Sequence, residues 1–409
     1  MRKMGLPVLL MLLILVLFNS TVTAEDVTIR FLSHNYKPWN DLLSEQARAF
    51  EELHPNVKVE YTHVEHADLN TRLMTSLVAG TAPDVMGVYG PWMAELVENG
   101  WIAAAPDFVV EDIMNNTVPV AGQSAEYDGE IYGYIQHIGI HTPIINVDLY
   151  EEAGIDVPTT YEELLAANAY LDIYDDRDRL IQAGATLSTS RDGSWNVIHW
   201  STILKAYGVE LVNEDGTEAA FNTEVGREAT ETYMALTHPR FIDDAFVLGR
   251  SAMAWNGPWW RAFLDANAPN LNYQAIAPIA GPDRQVTGMY AWFWVVNANS
   301  TPQQQYWAWR FSEFLSNDEN YLDMALDIGF ISFRNAHYED DRYATDDWIR
   351  TFGEALEAAE IYYAPIAQWE SIDVAIGQEL ERLVVGEITV EQALNNAERR
   401  VNEIIAEGR

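Results

Sequence analysis

Cysteine is absent from the 409 residues. Disulfides are excluded, and so is a lipid anchor through an N-terminal cysteine. Lysine is scarce: Lys3, Lys37, Lys58 and Lys205 are the only four, and the other 20 basic residues are arginine. Against 62 acidic residues they leave a net charge of −38. Such a surface repels nucleic acid and anionic lipid, so neither is expected as a partner. Abundant acid with little lysine fits adaptation to salt, where screening tames self-repulsion, and equally fits a merely acidic exported protein. There is no Gly-x-Ser-x-Gly elbow, phosphate loop or His-Glu-x-x-His. Carboxylate pairs of the kind that hydrolyse glycosides are uninformative here, because so many acids place pairs together by chance. His63, Glu65 and His66 could make a metal corner, but no fourth ligand is in view and they read better as exposed polar residues. The expectation is therefore no catalytic residue, no metal and no cofactor.

Long apolar runs are missing beyond residue 24. Before it, Arg2 and Lys3 are followed by an apolar stretch over residues 8–18 and by Val22-Thr23-Ala24. That is the pattern of a cleaved secretory signal peptide, too short in its apolar part to span a bilayer. Losing its two basic residues takes the charge from −38 to −40.

The rest is long enough for two lobes. Val27, Ile29 and Phe31 alternate as a strand, and residues 33–38 read as a polar loop. Leu43, Ala47, Phe50 and Leu53 recur at helical spacing until Pro55. Val57, Val59 and Tyr61 alternate again, Leu69, Leu73 and Leu77 stripe a second helix, and residues 84–88 form a third strand. This β-α-β-α-β order predicts an α/β fold with a mostly parallel sheet flanked by helices in each lobe. Thr160 with Glu163, and Thr389 with Gln392, are spaced as capping boxes. The acidic run 172–178 lacks the glycine and spacing of a calcium loop and reads as a solvated face.

The most informative stretch is residues 249–260, GRSAMAWNGPWW. A short apolar strand breaks at Asn256-Gly257-Pro258 and displays Trp259 and Trp260 beyond its end. Ligands of open α/β sheets sit outside strand ends, and an indole offers a flat face to the C–H side of a sugar ring. The alternative reading is that both rings plug the core.

Residues 246–259 follow F-x-x-G-[RK]-x-A-M-x-x-N-G-P-W, which resembles the extracellular solute-binding proteins of family 1, the sugar-binding subunits of ATP-driven importers. VAGTAPDV at 78–85, YDGEIYG at 127–133, IINVDLY at 144–150 and PTTYEEL at 158–164 resemble further motifs of that family in the same order. Ile135 stands where the family usually has proline, and Ser332 in GFISFRNA replaces another. The resemblance implies a periplasmic-binding-protein-like fold with a multi-crossing hinge. It places residues 25–136 with 290–337 in an N-terminal lobe and 137–289 with 338–409 in a C-terminal one. It implies a monomer, free in the periplasm, that carries a sugar to the membrane permease of an ABC transporter. The candidate ligand residues it implies are Asn35, Tyr36, Tyr89, Trp92, Gln136, His137, Trp195, Asn256, Trp259, Trp292 and Trp369. Trp292 and Trp294 lie two apart on one strand, so at least one of them is expected in the core. A polyol or glycerol phosphate as ligand, or a secreted carbohydrate-active enzyme, are the alternatives; the candidate loops hold only Lys37 to meet a phosphate.

Overall fold

A computed structural model describes residues 25–187, 194–238 and 244–408. The expected signal peptide lies outside the described residues. Among them no helix is long and apolar enough to cross a membrane.

The first sheet grows from the alternating N-terminal segments. Strand β1 (Val27–His34) buries Val27, Ile29 and Phe31 and pairs in parallel with β2 (Val57–Val64) and β3 (Val85–Tyr89). Helix α1 (Lys37–Leu53) starts inside the expected loop. Pro38 sits in its first turn, where a missing N–H costs no intrahelical bond. Leu43, Ala47 and Phe50 are buried as expected, whereas Leu53 ends the helix exposed. Helix α2 (His66–Val78) buries Leu69, Leu73 and Leu77.

Strand β4 (Tyr134–Ile140) then passes through a single residue, His141, into β5 (Thr142–Asn146). β4 belongs to the first sheet and β5 to a second. Helix α3 (Ser194–Ala206), β6 (Met253–Asn256) and β7 (Tyr273–Ala275) follow. β6 and β7 both pair antiparallel with β5, and Ala183 and Thr186 lie beside Ser251 and Ala254 in parallel bridges. The second sheet is thus mixed rather than mostly parallel. β5 carries the chain away from the first sheet while β6 carries it back, so the two must run in opposite directions.

The chain returns through β8 (Thr287–Val296), ten residues that are all buried. β4 lies along one edge of it, and β3 and then β9 (Ala359–Ile361) along the other. The expected lobe boundary at 136/137 therefore falls inside β4, whose ladder to β8 continues to Ile140, and the first sheet takes in residues 359–361 from the segment assigned to the second lobe. Helices α4 (Trp369–Val384) and α5 (Val390–Glu407) close the chain, α5 burying Ala393, Leu394, Ala397, Val401 and Ile405. Both capping boxes are formed. The acidic run carries an unexpected hairpin, Ile173–Tyr174 against Leu180–Gln182, too short to announce itself by alternation.

With a net charge of −38 the fold repels itself in dilute buffer. Its melting temperature is expected to rise as sodium chloride is taken from low to molar concentration, since exposed ion pairs lose little to screening. A flat or falling series in circular-dichroism melts would remove the salt-adaptation reading.

Candidate functional site

The ends of the first sheet's strands and the crossing strand bring a continuous set of aromatic rings together. At its centre is Trp292 of β8. Its ring centroid is 4.7 Å from His34 at the end of β1, 5.2 Å from Tyr89 at the end of β3 and 5.5 Å from His66 at the start of α2. Trp92 and His137 complete its surroundings at 5.8 and 6.0 Å. His137 stacks on Phe330 at 4.4 Å, and Phe330 meets Trp259 at 6.0 Å. From Trp259 the rings continue to His141 at 5.7 Å, and His141 lies flat on Trp195 at 4.4 Å. The set thus runs without a break from the first sheet to the second. His34, Tyr89, Trp195 and Trp259 are half-buried and His66 is exposed, while the others are buried.

Local backbone explains two of these positions. The pairing of β4 with β8 slips between Trp292 and Phe293: His137 faces Trp292 and Ile135 faces Phe293, so Gln136 is the extra residue of a β-bulge. Bulges re-aim side chains, and this one lies beside the ring set. The Asn256-Gly257-Pro258 turn holds Trp259. Gly257 N–H donates to Asn256 Oδ1 at 2.8 Å, and Trp348 Nε1 donates to the Pro258 carbonyl at 2.9 Å. The Trp259 ring folds back over Gly257 so closely that a Cβ there would stand 2.1 Å from it. Only glycine fits beneath the indole. Trp260 turns the other way and packs on Phe246.

Burial disfavours the charged form of three of these histidines. Burial, with His66 nearby, lowers His34 to about 3. Burial first, then His34 and His66, depresses His137 well below 6.5, and burial with His199 does the same for His141. Several buried polar atoms have no hydrogen-bond partner: both side-chain heteroatoms of Gln136, Nδ1 of His34 and His137, Nε2 of His141 and the hydroxyl of Thr142. Among the described residues no three His, Asp or Glu side chains converge as metal ligands. Flat apolar faces interleaved with neutral donors and acceptors suit an uncharged ligand that has both C–H faces and hydroxyls.

Of the residues expected from the sequence, Tyr89, Trp92, Gln136, His137, Trp195, Trp259 and Trp292 come together around this set. Four do not. Asn35 spends its amide on Glu65 and Asn40, and Asn256 uses its carbonyl oxygen to hold the turn. Tyr36 is an exposed residue before α1. Trp369 is wholly buried at the start of α4, where its one ring neighbour among the described residues is Tyr362; it has no free face and is a core residue. Trp292 itself is 4% exposed, and Trp294 is fully covered between Phe31 and Trp39. Sequence reasoning missed His34, His141 and Phe330, and set His66 aside. His141 stands alone between two apolar runs, which was the one visible signal.

The profile of the bacterial extracellular solute-binding proteins matches residues 45–351. A Brucella abortus (strain 2308) protein described as a binding protein is 23% identical over 99% of each chain. The maltotriose-binding protein of Pyrococcus abyssi is 23% identical, over 85% of this chain and 76% of that one. The fold is similar to that of the GacH receptor of Streptomyces glaucescens, solved unliganded and with acarbose, at a TM-score of 0.78, 22% identity and coverage of 94% of this chain and 100% of that one. With a profile match over most of its length, and that fold, the chain belongs to the bacterial extracellular solute-binding proteins.

Proposed function

We propose that the protein captures a mono- or oligosaccharide between its two lobes and delivers it to the permease of an ABC-type importer, as a monomer in the periplasm after loss of its leader. The observation that carries this reading is the unbroken set of rings joining the two sheets, with unpartnered neutral polar atoms beside them. Ring faces take the sugar's C–H faces, and the polar atoms take its hydroxyls. No buried charge has to be paid for. The relatives named for maltotriose and acarbose support a carbohydrate of this kind. Closure of the lobes over the ligand is the signal read by the permease.

A thermal-shift screen over neutral sugars and polyols tests the ligand class, and incubation with oligosaccharides followed by product analysis tests for turnover. Stabilisation without product is expected; product formation would move the protein to the enzymes. Trp259→Ala is expected to weaken binding of the best ligand by roughly ten- to a hundred-fold, on the order of 1–3 kcal/mol of lost stacking and burial. Its cost in stability should stay below the roughly 3–5 kcal/mol of a fully buried tryptophan. Unchanged affinity in calorimetric titration would remove Trp259 from the site.

A further inference from the structure

One residue stands between the two sheets. Ile140 closes β4, Thr142 opens β5, and His141 is the joint. Its carbonyl accepts from Thr287 Oγ1 at 2.7 Å, which ties the first crossing to the start of β8. Its imidazole is held on two further sides. One face lies parallel to the indole of Trp195, 4° from coplanar. Nδ1 is 3.1 Å from Nε2 of His199. Trp195 and His199 are four residues apart, on one face of α3. The rings of Trp259 and Tyr290 stand steeply to it, with centroids at 5.7 and 6.1 Å. Nε2, across the ring from the His199 contact, is buried without a partner, and so is the neighbouring Thr142 hydroxyl. Buried polar atoms are nearly always paired, so an unpaired one needs an explanation.

We infer that His141 is a specificity-determining residue that reads a ligand hydroxyl through Nε2, and that His199 is the positioning residue that sets which of its nitrogens carries the proton. The inference rests on the sugar-binding reading above. In a neutral imidazole one nitrogen donates and the other accepts. One proton lies along the contact between the two histidines. When His141 supplies it, Nε2 of His141 is an acceptor. When His199 supplies it, His141 keeps its own proton on Nε2 and donates outward. A hydroxyl meets either form, because it both donates and accepts. A carboxylate or phosphate meets only the second form, and an ammonium only the first. A hydroxyl is therefore met whichever way the shared proton lies, whereas a charged group is met by one of the two forms alone.

The test uses the full mature chain with maltotriose, mannobiose, tagatose and ribitol as probes. The probe that most raises the melting temperature is titrated into wild type, His141→Phe, His199→Phe and His199→Gln. His141→Phe keeps the stack on Trp195 but removes both nitrogens, and it should lower affinity at least tenfold. His199→Phe should cost a similar factor, and His199→Gln, whose amide can donate or accept, should restore most of it. Histidine-ring 1H–15N spectra of wild-type protein need no variant to fold: the probe should shift a histidine Nε2 resonance, and His199→Gln assigns it by perturbing the same one. If a probe binds but His141→Phe stays within twofold of wild type, or no histidine Nε2 moves, this inference is overturned and the sugar reading stands. If no probe stabilises the protein, the sugar reading fails and takes this inference with it.

Discussion

Taken from about pH 7.5 to about pH 5, the protein is expected to lose unfolding free energy through three histidines, about 2 kcal/mol of it through His34 alone. His34, His137 and His141 are held below their ordinary value of 6.5, His34 at about 3, chiefly by burial. In the unfolded chain each binds a proton as the pH drops past 6.5; in the folded protein none does until far lower. The unfolded state therefore gains protons that the native state refuses, and stability falls with pH. For His34 the window runs from 6.5 down to about 3. Each neutral histidine contributes about 1.4 kcal/mol per pH unit in that window. Protonation of surface carboxylates, which relieves the −38 charge, acts in the opposite direction but sets in mainly below pH 5. Urea denaturation at closely spaced pH values would show the slope. His34→Gln and His137→Gln should each flatten it by one histidine's share. A wild-type curve without slope between pH 6.5 and 5 would mean that these rings are protonated in the fold.

Trp292→Ala is the second large expectation, a loss of roughly 3–5 kcal/mol of stability. The side chain is 4% exposed and its ring touches five others drawn from β1, α2, β3, the turn after it and β4. Removing it leaves a cavity whose walls belong to separate elements, none of which can move in alone. The denaturation midpoint should fall strongly and sugar affinity should fall with it. A loss below about 1 kcal/mol paired with abolished binding would show instead that Trp292 presents its face to the ligand.

The alternation of β1 and β2, the leucine stripe of α2 and the two capping boxes were legible because each is decided by residues within a few positions of one another. Helix α1 was misplaced at its start because a proline next to polar residues reads as a loop, although it is equally at home in a first turn. The direction of the second sheet could not be read locally: β6 and β7 follow β5 by more than a hundred residues, and their pairing with it follows from the path of the chain. At the site, tryptophan after Asn-Gly-Pro was a strong local signal, and Trp259 stands among the rings. Gln136 and His137 were named from motif position, but the bulge that aims them is a mismatch between two strands and exists in neither alone. Trp369 is wholly buried, and a buried aromatic and a ligand-facing one share one letter. His34 lies in a polar run and carries no pattern of its own, and His141 offers only its isolation among apolar residues.

The single residue between β4 and β5 has a consequence for how this chain can vary. Side chains of a strand alternate between faces, so one inserted or deleted residue at the joint would turn Ile144 and Ile145 to opposite sides of the second sheet. The pairing of Asn256 with Thr142 would slip with them, and the Asn-Gly-Pro turn would carry its tryptophan away from His141. Length at this point is therefore as constrained as identity. Surface loops of the same chain can grow or shrink at little cost, whereas at the joint a changed residue costs affinity and a changed count costs the register of the sheet beyond it.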